Sequence, residues 1–210
     1  MNNIFRLSII LAIVTAVAAY VLAEIYGVTK PQIELQKKAK TRQALNEVMA
    51  KADTIIPIIQ QVPVTDSDGN VLYEKDRVAY YVAYKGDAEQ DTAGYAFMAY
   101  GNGYSSVVET MVGIDTAGRI LSIEVISQKE TPGLGALVVE DGAFQGKKWT
   151  TRQFEGKTAD DLKVDKDGGE IVSITGATIT SRAVTNSIRE RMQELLPELG
   201  ITGSENNGGQ

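Results

Sequence analysis

From Leu7 to Ala23 the chain carries no charge, and only Ser8, Thr15 and Tyr20 interrupt its apolar side chains. A backbone surrounded by hydrocarbon must satisfy its own hydrogen bonds, so such a run is a helix. At roughly 1.5 Å per residue this run reaches about 26 Å, just under a hydrocarbon core. Ile25, Tyr26 and Val28 extend the span if Glu24 reaches the interface. The reading is a transmembrane anchor over residues 1–28. A cleaved signal peptide is the alternative, with Arg6 as its basic start and Ala16, Ala18 and Ala19 around its cleavage site. The run exceeds a usual signal-peptide core and continues past those alanines. Both readings send the remaining chain across a membrane.

Charge separates the rest into two parts. Residues 30–51 hold Lys30, Lys37, Lys38, Lys40, Arg42 and Lys51 against Glu34 and Glu47, a balance of +4. Residues 1–29 are neutral and the whole chain is −6, so 52–210 carry −10. So acidic a domain argues against nucleic acid as a partner, and the basic stretch suits anionic membrane lipid. Basic residues usually mark the cytoplasmic side, yet most follow the anchor here, and charge alone leaves the orientation open.

The chain has no cysteine and no histidine. That excludes disulfides, thiolate and imidazole metal sites, imidazole general-base catalysis and Ser-His-Asp triads. Redox chemistry would need a cofactor held by other means. Asp66-Ser67-Asp68-Gly69 and Asp165-Lys166-Asp167-Gly168 open like calcium loops, but their twelfth positions are Arg77 and Gly176 in place of glutamate, so no metal site is expected. Gly101-Asn102-Gly103 lacks the third glycine of a dinucleotide fingerprint, with Ser106 in its place.

Hydrophobic spacing gives the outline of the fold. Leu35, Ala39, Leu45, Val48, Met49 and Ala52 recur near heptad spacing, which predicts an amphipathic stalk helix within 29–53, with Pro31 in its first turn. A main domain follows over 54–200. Val71 to Tyr73, Val78 to Tyr84, Gly94 to Tyr100, Ser106 to Ile114 and Ile120 to Ile126 are β-branched and aromatic runs, the last two joined by an Asp115–Gly118 turn. Trp149 to Phe154 reads as a short helix or turn, with Trp149 a core candidate. Val184, Ile188, Met192 and Leu195 give an amphipathic helix over 182–196 that Pro197 closes. Residues 201–210 read as a disordered tail. The class is α+β: an anchor helix, then an antiparallel sheet with packed helices.

Two stretches stand out. Ser127 to Gly135 leaves a strand with Pro132-Gly133 as a turn and Gly135 as a second flexible point. Glu170 to Val172 is β-like, and Thr175-Gly176-Ala177-Thr178 follows as a turn on small residues. By itself that turn is accounted for by an N-cap at Thr180 or Ser181. It also suits a phosphate, because a strand turning into a helix start exposes backbone N–H groups.

Together, Lys129-Glu130-Thr131-Pro132-Gly133-Leu134-Gly135 and Ile174-Thr175-Gly176-Ala177-Thr178-Ile179-Thr180-Ser181, behind an N-terminal anchor, resemble the covalent FMN-binding domain family. The likeness is to the G subunits of Rnf ferredoxin–NAD oxidoreductase complexes. The family pattern is aspartate, two variable residues, Ser or Thr, Gly, Ala, then an acceptor threonine. The resemblance therefore implies FMN esterified through its phosphate to Thr178, with Thr175, Gly176 and Ala177 completing the motif and Val172 at the aspartate position. It implies that Thr180 and Ser181 lie near the phosphate, and that Glu130, Thr131, Gly133, Leu134 and Gly135 lie against the flavin ring. It further implies an electron-carrier role with no catalytic residue of its own, and the other membrane subunits of the complex and a separate flavin transferase as partners. The place implied is a bacterial or archaeal cell membrane, single-pass, with the FMN domain on the extracytoplasmic side. The C subunits of sodium-pumping NADH:quinone reductases share both motifs, and a flavin-free pilin-like assembly protein is the rival of another class.

Overall fold

The computed structural model describes residues 3–65, 71–86, 91–140, 148–150 and 152–201. It contains two compact units, Met1–Arg42 and Gln43–Gln210. The Asp66–Gly69 turn and the tail after Ile201 lie outside the described residues.

One helix, α1 (Asn3–Val48), includes both the apolar run and the stretch expected to form a separate stalk. Its apolar part is long enough to cross a membrane, with a mean hydropathy of 2.3 and side chains exposed throughout. Pro31 lies inside this helix instead of opening a new one. Proline removes one N–H, costing about 3 kcal/mol in a helix interior, whereas a break would leave several carbonyls and N–H groups unpaired. The expected stalk face is only partly used. Leu35 is 60% exposed, and burial begins at Ala44.

Among the described residues of the second unit five antiparallel strands lie in sequence order: β1 (Thr54–Thr65), β2 (Val71–Tyr84), β3 (Thr92–Asn102), β4 (Val107–Ile114) and β5 (Ile120–Ser127). The sequence runs anticipated β2 to β5, although β2 joins what looked like two runs. β1 is an addition. It contains Pro57 and Pro63, which speak against a central strand but are tolerated at an edge, and β1 is an edge. The β4–β5 hairpin closes as expected at Asp115, whose carboxylate accepts from the N–H groups of Ala117 (2.9 Å) and Arg119 (2.8 Å).

Both faces of the sheet are covered, so successive residues of the central strands are buried on opposite sides. Phe97 and Ala99 of β3, with Val108 and Val112 of β4, face a core completed by α2 (Thr178–Glu198) through Val184, Ile188, Met192 and Leu195. Those four helix residues are the ones the spacing singled out, and each is fully buried. Trp149 also lies in this core, edge-to-face with Phe154 at 5.4 Å. On the other face Ala83, Ala96 and Met111 pack against Ala44, Leu45, Val48 and Met49.

α2 departs from expectation at both ends. It begins at Thr178, one turn before Arg182, and it runs through Pro197 to Glu198. The run before it is not a strand: Ile171 makes a single parallel bridge to Val164. A segment this short, bounded by a turn at Gly168 (φ +83°), has no room for a ladder.

Candidate functional site

Three backbone segments meet at the start of α2. They are the β3–β4 turn (103–106), the chain leaving β5 (128–135) and the turn 174–177. The junction is organised by a buried carboxylate. Glu130 is 6% exposed, and its Oε1 accepts from the N–H groups of Ser105 (3.0 Å) and Ser106 (2.9 Å) and from the Ser106 hydroxyl (3.3 Å). Its Oε2 accepts from the Tyr104 N–H (3.1 Å) and the Thr180 hydroxyl (2.7 Å). Burial pushes the Glu130 carboxyl up, but the Thr180 hydroxyl and the three backbone N–H groups outweigh it and hold the carboxyl below its ordinary value. With both oxygens engaged, Glu130 serves as a pin between two loops and a helix.

The pin explains Gly135, which the sequence suggested was a flexible point. Gly135 is buried and opens a short 3-10 turn, Gly135–Val138. A Cβ there would stand 2.7 Å from both Glu130 Oε2 and Thr180 Oγ1. Its requirement is space, not flexibility. Gly135→Ala should therefore push the pin apart and cost about 1–3 kcal/mol, as overpacking does. Thermal unfolding reads this as a lowered Tm, and an unaltered Tm would mean the contact relaxes freely.

The turn into α2 uses Gly176 in the left-handed region (φ +78°), where other residues are strained. The helix N-cap is Ala177, which has no side chain able to cap. The caps expected at Thr180 or Ser181 are not there, because both lie inside the helix. Ser181 instead accepts from the Ile174 N–H (3.0 Å) and donates to the Ala177 carbonyl (3.1 Å), tying the turn to the first helical turn. Among the described residues, the leading N–H groups of α2 are thus left without a side-chain acceptor at the positive end of its dipole. Arg182, one turn on, is already engaged: its guanidinium donates to Asp167 at 2.8 and 2.6 Å.

A cavity of about 460 Å³ opens between these segments. Its lining includes Glu130, Thr131, Leu134 and Gly135 from one predicted stretch and Gly176, Ala177, Thr178 and Thr180 from the other. Two stretches that begin 45 residues apart in sequence therefore share one wall (129 and 174). Gly133 forms an exposed turn (φ +73°), Thr175 is exposed, and Ser181 is buried behind the turn; these three do not line it. Tyr104 and Ile179 line it and were missed. The sequence carried no signal for Tyr104; only the structure shows that a Cβ on the preceding Gly103 would stand 2.6 Å from Glu130 Oε1. A smaller cleft of about 280 Å³, lined in part by Arg77, Tyr100 and Arg191, contains neither stretch.

At the position where the motif pattern has aspartate, Val172 is half-exposed and held through its backbone. Its N–H donates to Gln153 (2.8 Å), and its carbonyl accepts from the Trp149 indole (2.6 Å). A carboxylate reaches the next residue instead. Asp165 accepts from the Ser173 hydroxyl (2.6 Å) and N–H (3.0 Å), which hold its carboxyl below the usual range.

Residues 103–193 match the FMN-binding domain family, and residues 1–48 match the RnfG N-terminal region. The G subunit of the proton-translocating ferredoxin:NAD(+) oxidoreductase complex of Clostridium ljungdahlii is 33% identical over 92% of this chain and 92% of its own. The G subunit of the ion-translocating oxidoreductase complex of Vibrio vulnificus is 32% identical over 92% of this chain and 90% of its own. Among solved structures, the C subunit of the Na(+)-translocating NADH-quinone reductase of Parabacteroides distasonis superposes with a TM-score of 0.47 at 18% identity, covering 83% of this chain and 97% of that one.

Proposed function

This chain belongs to the G-subunit family of ion-translocating oxidoreductase complexes, and on that premise we propose that it relays electrons through one FMN esterified to Thr178. It is an FMN-binding electron carrier that works beside the other subunits of such a complex, and its N-terminal helix associates it with the membrane. Membership in an FMN-binding family sets aside the pilin-like alternative, and the G-subunit relatives favour this complex over the quinone reductase.

The observation that carries the covalent reading is the position of Thr178. It is half-buried, the first residue of an α-helix whose N-cap offers no side-chain acceptor, and it lines the cavity shared by both stretches. The residues present fit the group. A phosphate on the Thr178 hydroxyl would be held by the leading N–H groups of α2 and favoured by its dipole. A cavity of about 460 Å³ is within the range of small-ligand sites, and Tyr104, Leu134 and Ile179 give it an apolar rim. Bound FMN supplies one- and two-electron redox chemistry that these side chains cannot. The chain itself holds the phosphate end, shapes the cavity and keeps it rigid through Glu130.

On this reading a separate flavin transferase, as the family resemblance implies, esterifies Thr178 beside the exposed Thr175–Gly176 turn, and the attachment needs neither cysteine nor histidine, which the chain lacks. The domain stands on the extracytoplasmic side, where a freely dissociating flavin would be lost. Lys30, two residues past the anchor on the same helix, lies next to anionic lipid headgroups. Ultraviolet illumination of a denaturing gel tests the covalent bond: a band that glows at this chain's mass is expected, and a dark band from transferase-containing cells contradicts it. Protease added to intact spheroplasts tests the side of the membrane. Loss of the 43–210 unit is expected, and full protection would reverse the orientation.

A further inference from the structure

Tyr104 has the largest side chain on the cavity rim and is 75% exposed. Its backbone is held firmly. The Tyr104 N–H donates to Glu130 Oε2, the same oxygen that accepts the Thr180 hydroxyl, so Tyr104 and the first turn of α2 are joined through one buried atom. The next two N–H groups, of Ser105 and Ser106, are fixed on Glu130 Oε1. The turn is also closed by the Gly103 N–H donating to the Ser106 carbonyl at 2.8 Å.

Solitary exposed aromatics are common and need no explanation. Tyr104 differs because three consecutive anchored peptides aim it, and because it faces a cavity whose rim is otherwise Leu134 and Ile179, 43% and 50% exposed. A rigid turn that offers an aromatic ring to an apolar cavity is suited to covering a flat aromatic ligand, since stacking removes both faces from water. Resting on the FMN reading above, we propose that the Tyr104 ring stacks on the flavin ring system and closes the solvent side of the cavity. Glu130 is then the positioning residue for Tyr104, and the buried hub sets the distance between the ring and Thr178.

A phenol in contact with a photoexcited flavin gives up an electron and recovers it before light is emitted, so stacking quenches fluorescence. Leucine cannot do this. The test uses full-length protein in detergent, produced with a flavin transferase, with the FMN increment checked by intact mass in every sample. Tyr104→Leu should raise flavin fluorescence yield and lifetime several-fold. Tyr104→Phe, which keeps a ring in place, should retain the visible circular dichroism that Tyr104→Leu loses. Tyr100→Leu on β3, outside the cavity, should leave the lifetime unchanged. Because the Tyr104 side chain is mostly solvated, its removal leaves the fold intact. A Tyr104→Leu protein that carries FMN with the parent lifetime overturns the stacking alone. A parent protein without the FMN increment overturns the FMN reading and the stacking with it.

Discussion

Thr178→Ala is expected to leave a protein that folds, inserts and carries no covalent FMN. Intact-protein mass spectrometry should show the full FMN increment on the parent and none on the variant. Alanine suits the first turn of a helix, and Thr178 makes no side-chain hydrogen bond among the described residues, so stability should shift by no more than about 0.5 kcal/mol. Thr175→Ala is the comparator. Thr175 is exposed and off the cavity wall, so its loss should lower occupancy without abolishing it. Equal loss in both variants would mean that the turn, and not the Thr178 hydroxyl, is what attachment requires.

Glu130→Gln is expected to be the most destabilising single change at the site. A carboxylate that accepts five hydrogen bonds becomes an amide whose nitrogen would face donors. Leaving buried N–H and hydroxyl groups unsatisfied costs about 1–3 kcal/mol each, so a loss of about 3 kcal/mol overall is expected. For a chain of this size that is a fall in Tm of roughly 6–12 °C. The effect depends on pH with a definite sign. The Glu130 carboxyl is lowered in the folded protein, so its contribution is fully present above the ordinary glutamate value of 4.5 and is lost as pH falls through the lowered folded value. The stability gap between parent and variant should therefore be constant near neutrality and shrink on acidification. Chemical denaturation across that range measures it, and a gap that widened with acid would contradict the hydrogen-bonded, ionised Glu130.

Much of this architecture was legible because it rests on local patterns. The apolar run is a helix, the β-branched runs are β2 to β5, and Val184, Ile188, Met192 and Leu195 are buried as their spacing required. What sequence concealed depends on tertiary context. Pro57 and Pro63 obscured β1, because only its place at the sheet edge makes them acceptable. Pro31 looked like a helix start, because its neighbours on both sides, not its own preference, keep α1 continuous. The first turn of α2 was hidden for a similar reason: Thr178, Ile179 and Thr180 are weak helix formers, held in place by Ser181 and by the Thr180–Glu130 bond.

At the site, both halves of the cavity could be read from residue type, but the way they join could not. Glu130 was legible as a residue of the cavity wall, but its carboxylate's role as a hub was not: it accepts from the Tyr104 N–H and so fixes the backbone of Tyr104 at the rim. Gly135 looked like a flexible point, since glycine chosen for space and glycine chosen for flexibility are identical in sequence.

The most direct measurement is peptide mass mapping of the full-length protein made in cells with and without a flavin transferase. The account predicts one FMN, on the peptide that contains Thr178, only when the transferase is present. FMN on any other residue, or an unmodified Thr178 peptide from transferase-containing cells, would contradict it.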